Sequence, residues 1–238
     1  MKVKTLIGVC FLFSLCLNGC KEDRVKGVAD YEPDERRLDP SAKTEDVEAM
    51  TIKDKDKAAR GAGEEQVAII GGGCFWCVEG AFKQLKGVHS ALPGYAGGED
   101  PSPNYESVCR GKTGHAEVVE VMFDAEEISY STLLEVFFTV HDPTQLNRQG
   151  NDIGTQYRSA IYTTSPFQDE TAREITKQMQ AYWKQPIVTE IAPLSNYHEA
   201  EPYHHDYYAR NPNQGYCMAV VGPKLRKVRQ KHAHLYRQ

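Results

Sequence analysis

The chain has 238 residues, 40% of them hydrophobic, which is enough for one domain with an ordinary core and extensions. Its formal net charge at pH 7 is −5, so it lacks the basic character typical of nucleic-acid-binding proteins, and we exclude nucleic acid as a partner. Charged and apolar residues are unevenly distributed, and this divides the chain into three parts.

The first part, residues 1–20, has the composition of a secretory signal peptide. Two lysines precede an apolar stretch from Leu6 to Leu17, which is shorter than a helix that spans a bilayer. The part ends in "LNGC", which resembles the lipobox of bacterial lipoproteins and implies cleavage before Cys20 and lipidation of that cysteine. We therefore expect an exported protein of the bacterial cell envelope, anchored to a membrane as a periplasmic lipoprotein. An ordinary cleaved signal peptide is the alternative.

The second part, residues 21–65, is rich in charges of both signs. It holds 14 acidic and 10 basic residues in 45 positions, and Tyr31 is its only aromatic residue. Such a segment buries too little apolar surface to offset the conformational entropy lost on folding. We expect a flexible tether between the membrane surface and a folded domain of residues 66–238.

The domain begins with a pattern that predicts a strand, a turn and a helix. "VAII" at residues 67–70 is a short apolar run typical of a buried strand, and three glycines follow it. Apolar residues then recur with helical spacing until Gly87, at Phe75, Val78, Phe82 and Leu85. Cys74 is thus placed at a helix N-terminus, where partial positive charge and free backbone N–H groups favour a thiolate. We expect its pKa to be lowered and its thiol to be reactive.

Strands and helices alternate through the rest of the domain. Strands are predicted at residues 117–124, 159–164 and 187–192, and helices begin after the capping residues Ser129 and Ser165. A basic helix is also predicted after Pro223. We expect an α+β fold: a two-layer α/β sandwich with a central mixed sheet, a variant of the ferredoxin-like arrangement, followed by a long irregular C-terminal segment.

Four cysteines lie in the domain: Cys74, Cys77, Cys109 and Cys217. In an exported protein, two structural disulfides are the plainest interpretation, although a domain of this size does not need them. Zinc is disfavoured because Cys109 and Cys217 lack close ligand partners at the usual spacing. The C-x-x-C pair at a helix start also fits a general thiol–disulfide oxidoreductase. A redox-sensing or binding module without activity is the non-enzymatic alternative.

The domain closely resembles the A-type peptide methionine sulfoxide reductases in four ordered motifs: "GCFWCVEGAF", "NYESVCRGKTGHAEVV", "HDPTQLNRQGNDIGTQYRSAIY" and "GYC". The likeness runs from about Val67 to Lys224. It implies an enzyme, expected to be monomeric, that reduces methionine-S-sulfoxide, free or in proteins, and so repairs oxidised exported proteins. A cysteine sulfenic acid and an intramolecular disulfide are implied, with an external thioredoxin-like reductant. The family needs no bound cofactor or metal, so we interpret the histidine-rich residues 198–208 as a packed polar segment.

The resemblance also implies roles for individual residues of the site. Cys74 matches the nucleophile that attacks the sulfoxide sulfur. Glu117 matches the residue that protonates the sulfoxide oxygen, and this role requires a neutral carboxyl whose pKa is raised by burial. Tyr105 and Tyr157 match tyrosines whose hydroxyls hydrogen-bond that oxygen, and Asp152 matches an acidic residue that organises hydrogen bonds in the same pocket.

The remaining matches concern the pocket wall and the regeneration of the thiol. Phe75 and Trp76 match the wall around the substrate's S-methyl group, where an aromatic face contacts sulfur favourably. Cys217 matches a resolving cysteine that condenses with the sulfenic acid. Cys77 is close enough to the nucleophile to compete with Cys217. We nevertheless expect Cys217 to act first, as the resemblance implies, and Cys77 to be the candidate relay thiol. Cys109 is expected to be a small buried residue.

Overall fold

The structure, a computed structural model, describes residues 65–238. The predicted signal peptide, Cys20 and residues 21–64 of the tether lie outside the described residues. Among the described residues, no helix is long and apolar enough to cross a membrane.

Strands and helices alternate from the first described residue onward. The strands are β1 (Glu65–Gly72), β2 (Val88–Ala96), β3 (Ala116–Asp124), β4 (Arg148–Gln149), β5 (Asp152–Ile153), β6 (Ser159–Thr163), β7 (Glu190–Pro193) and β8 (Tyr197–Glu199). The helices are α1 (Phe75–Phe82), α2 (Tyr105–Cys109), α3 (Tyr130–Val140), α4 (Pro166–Met179), α5 (Tyr207–Arg210) and α6 (Gly222–Lys231). Short 3₁₀ turns include Thr155–Tyr157 and Pro202–His204, and a π turn spans Cys217–Val221.

Six strands form one sheet in the order β7-β6-β1-β3-β2-β8, and β4 pairs with β5 in a separate hairpin. Neighbouring strands of the large sheet are antiparallel, except that β6 and β7 are parallel. Its four central strands have the order β6-β1-β3-β2, with α1 between β1 and β2 and α3 between β3 and β6. This is the ferredoxin-like βαββαβ arrangement. The predicted α+β fold with a mixed sheet is confirmed.

The sheet buries apolar side chains on both faces. Along β1, Ala68 and Ile70 pack into the main core with the helices, whereas Ile69 belongs to a smaller cluster on the opposite face. The main core also holds Phe82 of α1 and Phe137 of α3. Complete burial of such side chains contributes about 1.5–3 kcal/mol each. This packing fixes α1 against the sheet and so determines where its N-terminus lies.

Both predicted serine caps are present. Ser129 Oγ accepts a hydrogen bond from the Thr132 N–H at 3.1 Å at the start of α3. Ser165 Oγ accepts one from the Gln168 N–H at 3.2 Å at the start of α4, and Pro166 occupies the first turn of that helix. The predicted starts of these two helices are confirmed.

Strand β2 does not follow from the sequence pattern. Pro93 and Gly94 lie in its middle, and both residues normally argue against a central strand. Gly94 is required there because an added Cβ would lie 2.3 Å from the Tyr197 ring of β8. The glycine that obscures the pattern therefore allows β8 to approach the sheet.

The strand predicted at residues 187–192 begins only at Glu190. The N–H of Ile187 donates a hydrogen bond to Gln180 Oε1 at 2.8 Å, so the first part of this segment bonds to the preceding helical turn. Helix α6 provides the basic helix predicted after Pro223.

Candidate active site

Three glycines carry the chain from β1 into α1, where neighbouring residues leave little room for side chains. A Cβ on Gly71 would lie 2.7 Å from the carbonyl oxygen of Glu117, and Gly73 has a φ of +87° in the left-handed region. Cys74 follows as the N-cap residue of α1, with 6% of its surface exposed. The turn places this thiol at the junction of the sheet and the helix, as predicted.

Glu117 enters the same junction from β3. Its side chain is buried, and Oε2 accepts a hydrogen bond from the Phe75 N–H at 3.0 Å. Burial raises the pKa of Glu117 to about 8, although the bond from Phe75 acts in the opposite direction. The expected raised pKa is therefore confirmed, and the carboxyl is largely neutral at pH 7.

The prediction of a lowered pKa for Cys74 is wrong. Burial raises the pKa of its thiol well above the usual range, and the side-chain hydrogen bond with Cys77 and the charge of Glu117 raise it further. The N-terminus of α1 does not offset this burial. Its Phe75 N–H is engaged by Glu117, and the Cys74 side chain makes no capping hydrogen bond. The Cys74 thiol is therefore protonated near pH 7.

Tyr105 and Tyr157 lie near the thiol and the carboxyl, as predicted. Burial raises the pKa of each tyrosine, and negative charge on Glu117 or Cys74 raises it further. Both phenols therefore stay protonated and remain hydrogen-bond donors. The charges of Glu117 and Cys74 act on both tyrosines, so the structure brings these four residues together.

Asp152, at the start of β5, joins this polar cluster. Its Oδ2 accepts a hydrogen bond from the Tyr216 hydroxyl at 2.6 Å. Burial raises the pKa of Asp152, whereas this hydrogen bond and the charge of Lys224 lower it. The Tyr216 ring meets Trp76 edge-on at 5.9 Å. Tyr216 is thus a site residue that sequence reasoning missed, although it lies in the "GYC" motif beside Cys217.

Aromatic rings form one wall of the site. Trp76 stacks on Tyr207 with ring centroids 3.8 Å apart and planes inclined by 7°, and its Nε1 donates to His204 Nδ1 at 3.2 Å. The rings of Phe75 and Tyr105 lie 4.9 Å and 4.4 Å from the His204 ring. The structure brings the predicted wall residues together and extends the wall to Tyr207 and His204. Sequence reasoning assigned these two residues to a packed polar segment, which carries no periodic signal.

His204 is buried within the aromatic wall. Its Nδ1 accepts from Trp76, so Nε2 carries the hydrogen, and no hydrogen-bond partner for Nε2 is present among the described residues. Burial lowers the pKa of His204 to about 4, which keeps the ring neutral. Glu201 lies nearby but is engaged by the Tyr95 hydroxyl and the Tyr105 N–H. His204 therefore presents a neutral N–H donor within the wall.

All four cysteines of the domain are free thiols in this structure. Cys77 is fully buried, and its hydrogen bond with Cys74 lowers the pKa of Cys77. Cys217 is also fully buried; burial raises its pKa, and the nearby Cys77 raises it further. Cys77 therefore contacts Cys74 and lies close to Cys217. Cys109 is only half-buried, contrary to expectation, because it ends the short surface helix α2.

The residues around Cys74 define a class of enzyme. A thiol at a helix N-terminus in contact with a second thiol, beside a carboxyl that is neutral near pH 7, is the arrangement of a thiol-dependent oxidoreductase. Within residues 65–238, no three His, Cys, Asp or Glu side chains are grouped so as to hold a metal ion.

Comparison with known proteins narrows this class to one family. The sequence profile of the family described as peptide methionine sulfoxide reductase matches residues 66–236. The chain belongs to the peptide methionine sulfoxide reductase family, and its relatives are of the A type. It is therefore an oxidoreductase that reduces methionine sulfoxide.

Two curated relatives and two solved structures illustrate the similarity. The peptide methionine sulfoxide reductase MsrA of Deinococcus radiodurans is 54% identical over 172 residues, 71% of this chain and 83% of that protein. MsrA of Chromobacterium violaceum is 53% identical over 170 residues, 71% of this chain and 97% of that protein. Methionine sulfoxide reductase A of Corynebacterium diphtheriae has 41% identity and a TM-score of 0.61, covering 67% of this chain and 80% of its own. Mxr1 of Saccharomyces cerevisiae in its reduced form has 34% identity and a TM-score of 0.63, covering 67% of this chain and 92% of that chain.

Proposed function

We propose that this domain reduces methionine-S-sulfoxide by attack of Cys74 on the sulfoxide sulfur, with Glu117 as the proton donor. One observation carries the proposal: the start of α1 holds both groups, since Cys74 caps the helix and the Phe75 N–H binds Glu117 Oε2 at 3.0 Å. Sulfoxide oxygen is a poor leaving group until it is protonated. A neutral carboxyl beside the nucleophile supplies that proton.

The first step transfers one oxygen atom. The Cys74 sulfur attacks the substrate sulfur, and the Cys74 thiol proton replaces the one that Glu117 gives to the sulfoxide oxygen. The substrate S–O bond and the transient bond between the two sulfurs then break, the protonated oxygen ends on Cys74 as a sulfenic acid, and methionine leaves. The Cys74 sulfur is oxidised by two electrons and the substrate sulfur is reduced by the same two. The hydroxyls of Tyr105 and Tyr157 hydrogen-bond the oxygen as negative charge develops on it.

The raised pKa of Cys74 requires that substrate binding helps to ionise the thiol. A sulfoxide oxygen that accepts hydrogen bonds from Glu117 and the two tyrosines draws electrons away from its sulfur. The more positive sulfur then faces Cys74 and favours its thiolate at the moment of attack. The thiol is thus unreactive without substrate, which protects it from unproductive oxidation.

A neighbouring thiol then resolves the sulfenic acid. Attack on Cys74 forms a disulfide and releases water. The resemblance assigns this step to Cys217, but Cys77 is the thiol that hydrogen-bonds Cys74, and Cys217 is close to Cys77. We therefore propose that Cys77 resolves first and forms a disulfide with Cys74. Cys217 then attacks the Cys77 sulfur, which releases the Cys74 thiol and leaves a Cys77–Cys217 disulfide.

A thioredoxin-like dithiol completes the proposed cycle. It reduces the Cys77–Cys217 disulfide and becomes a disulfide itself. The net reaction therefore consumes one sulfoxide and one dithiol, and it yields methionine, a disulfide and water. This reductant is proposed from the family resemblance and from the need of a buried disulfide for an external electron donor.

The test of this function is methionine formation from the separated epimers of methionine sulfoxide, with dithiothreitol as reductant. We expect the S epimer to be reduced and the R epimer to be left unchanged. A general thiol–disulfide oxidoreductase or an inactive binding module would leave both epimers untouched. Failure to form methionine from the S epimer would contradict the proposal.

We also propose that the enzyme repairs exported proteins while anchored by a lipid on Cys20. The support is the sequence of residues 1–20, with its basic start, apolar stretch and "LNGC" ending. Labelled palmitate supplied to bacteria that produce the full chain should enter the protein in the membrane fraction. Cys20→Ser should remove the label and Cys16→Ser, the matched control, should not block it. A membrane fraction of wild type without label would contradict the anchor.

A further inference from the structure

Glu79 is a buried acidic residue of the "GCFWCVEGAF" motif that the proposed reaction does not use. It lies on α1, three residues after Trp76, and is 2% exposed. Its Oε1 accepts a hydrogen bond from the Asp206 N–H at 2.6 Å, and the Tyr207 N–H also bonds to its carboxyl. Lys83, the residue that follows α1, pairs through its Nζ with Asp206 Oδ1 at 2.5 Å. Two side chains at the C-terminal end of α1 therefore hold the start of α5.

The backbone that Glu79 holds has an unusual conformation. Asp206 has a φ of +54°, in the left-handed region that residues with a Cβ seldom adopt. The next residue, Tyr207, places its ring flat on Trp76 at 3.8 Å. Contacts that keep Asp206 in this conformation therefore also fix the position of the Tyr207 ring.

We propose that Glu79 is a positioning residue for substrate binding, which holds the Asp206–Tyr207 backbone so that Tyr207 stays stacked on Trp76 at the wall of the methionine sulfoxide pocket. The inference rests on the proposed function, because that function makes Trp76 part of the pocket. Glu79 bonds backbone N–H groups rather than the reacting sulfur. Its loss should therefore weaken substrate binding more than it slows the chemical step.

The surroundings of Glu79 favour a folded alanine variant. Glu79, Lys83 and Asp206 also line a cavity of about 210 Å³. A cavity of this size with charged side chains in its lining admits water, which would hydrogen-bond the two N–H groups that the variant releases. Glutamine keeps the Oε1 acceptor, so Glu79→Gln is the conservative variant that should preserve the bond from the Asp206 N–H.

The experiment uses the full chain with Trp183→Phe, which leaves Trp76 as its only tryptophan. Without added reductant, the initial rate of methionine release is measured against the concentration of methionine-S-sulfoxide. Glu79→Ala should raise the half-saturating concentration about tenfold and leave the maximal rate within about threefold of the parent. The loss of hydrogen bonds that hold the pocket wall should lower substrate affinity by roughly a factor of ten. Trp76 emission should shift to longer wavelength as the ring loses Tyr207. Glu79→Gln should restore both the half-saturating concentration and the emission.

Tyr207→Leu provides a second, independent arm. It should raise the half-saturating concentration by a similar factor, and adding Glu79→Ala to it should have little further effect because both act on one contact. A parental half-saturating concentration in Tyr207→Leu, additive effects of the two substitutions, or failure of Glu79→Gln to restore binding would each overturn the proposal. Methionine release by the parent is measured in the same assay, so a failure of the proposed function itself would be seen separately.

Discussion

The backbone N–H of Phe75 donates a hydrogen bond to Glu117 Oε2 at 3.0 Å, and the two residues are 42 positions apart in the chain. This bond joins the start of α1 to β3, so the proposed nucleophile and the proposed proton donor are held by one contact. It also engages an N–H group that would otherwise stabilise a Cys74 thiolate. The same bond thus orients the carboxyl and contributes to keeping the thiol protonated before substrate arrives.

Glu117→Gln should lower the rate of methionine release by about 10²–10⁴-fold, because the amide keeps the shape of the carboxyl but cannot act as a general acid. Single-turnover methionine release measures this effect. Glu120→Gln, on the same strand, is the control and should stay close to wild type. A Glu117→Gln enzyme within threefold of wild type would remove Glu117 from the acid role.

The stability of the domain should also depend on pH through Glu117. Its pKa is about 8 in the folded state and 4.5 as an ordinary glutamate, so the folded state binds this proton more tightly. The stabilising effect of that proton is fully present below pH 4.5 and is lost as pH rises through 8. As pH rises over this range, the unfolding free energy of wild type should therefore fall by up to about 5 kcal/mol relative to that of Glu117→Gln.

Denaturant unfolding of both proteins between about pH 5 and 8 measures this difference. Glu79 and Asp152, whose pKa values are also raised by burial, are present in both proteins and cancel. A difference that does not change with pH would show that Glu117 is ionised in the folded protein.

Local patterns predicted the parts of the site that lie close together in sequence. The apolar run of β1, the glycines and the helical spacing placed Cys74 correctly, because each of these signals is local. The direction of the Cys74 pKa shift was not predictable in this way. It depends first on the burial of the thiol by tertiary packing, and further on Glu117, which the pairing of Ile70 with Val119 brings to the start of α1.

The aromatic wall was only half predictable for a related reason. Phe75 and Trp76 follow the nucleophile directly, whereas His204 lies 128 positions after Trp76 in a segment without helical or strand periodicity. That segment is positioned by tertiary bonds such as the one from Asp206 to Glu79. No local propensity encodes such a contact.

The order of the thiols predicts different products for single cysteine variants. Without reductant, wild type should release about two methionines per enzyme, because Cys217 regenerates the Cys74 thiol once. Cys217→Ser should release about one and accumulate a Cys74–Cys77 disulfide, since Cys77 alone resolves the sulfenic acid. Counting methionine and mapping disulfides after alkylation measures both. If Cys217→Ser accumulates sulfenic acid without that disulfide, Cys217 is the first resolving thiol.

A shortened chain that begins at Gly63 should retain full activity on free methionine-S-sulfoxide. The segment it lacks is highly charged and nearly free of aromatic residues, and the described fold is complete from β1 onward. Initial rates and the thermal midpoint, compared with the chain that begins at Lys21, measure the effect. A large loss of either would show that the segment packs on the domain.

The central claim is that Cys74 itself takes the oxygen of the substrate, and one measurement tests it most directly. In the Cys77→Ser, Cys217→Ser double variant, the only thiols left in the domain are Cys74 and Cys109. Mixed with methionine-S-sulfoxide and dimedone, without reductant, this enzyme should release about one methionine and carry one sulfenic-acid adduct, on Cys74. Methionine release without an adduct on Cys74, or an adduct on Cys109 instead, would contradict the account.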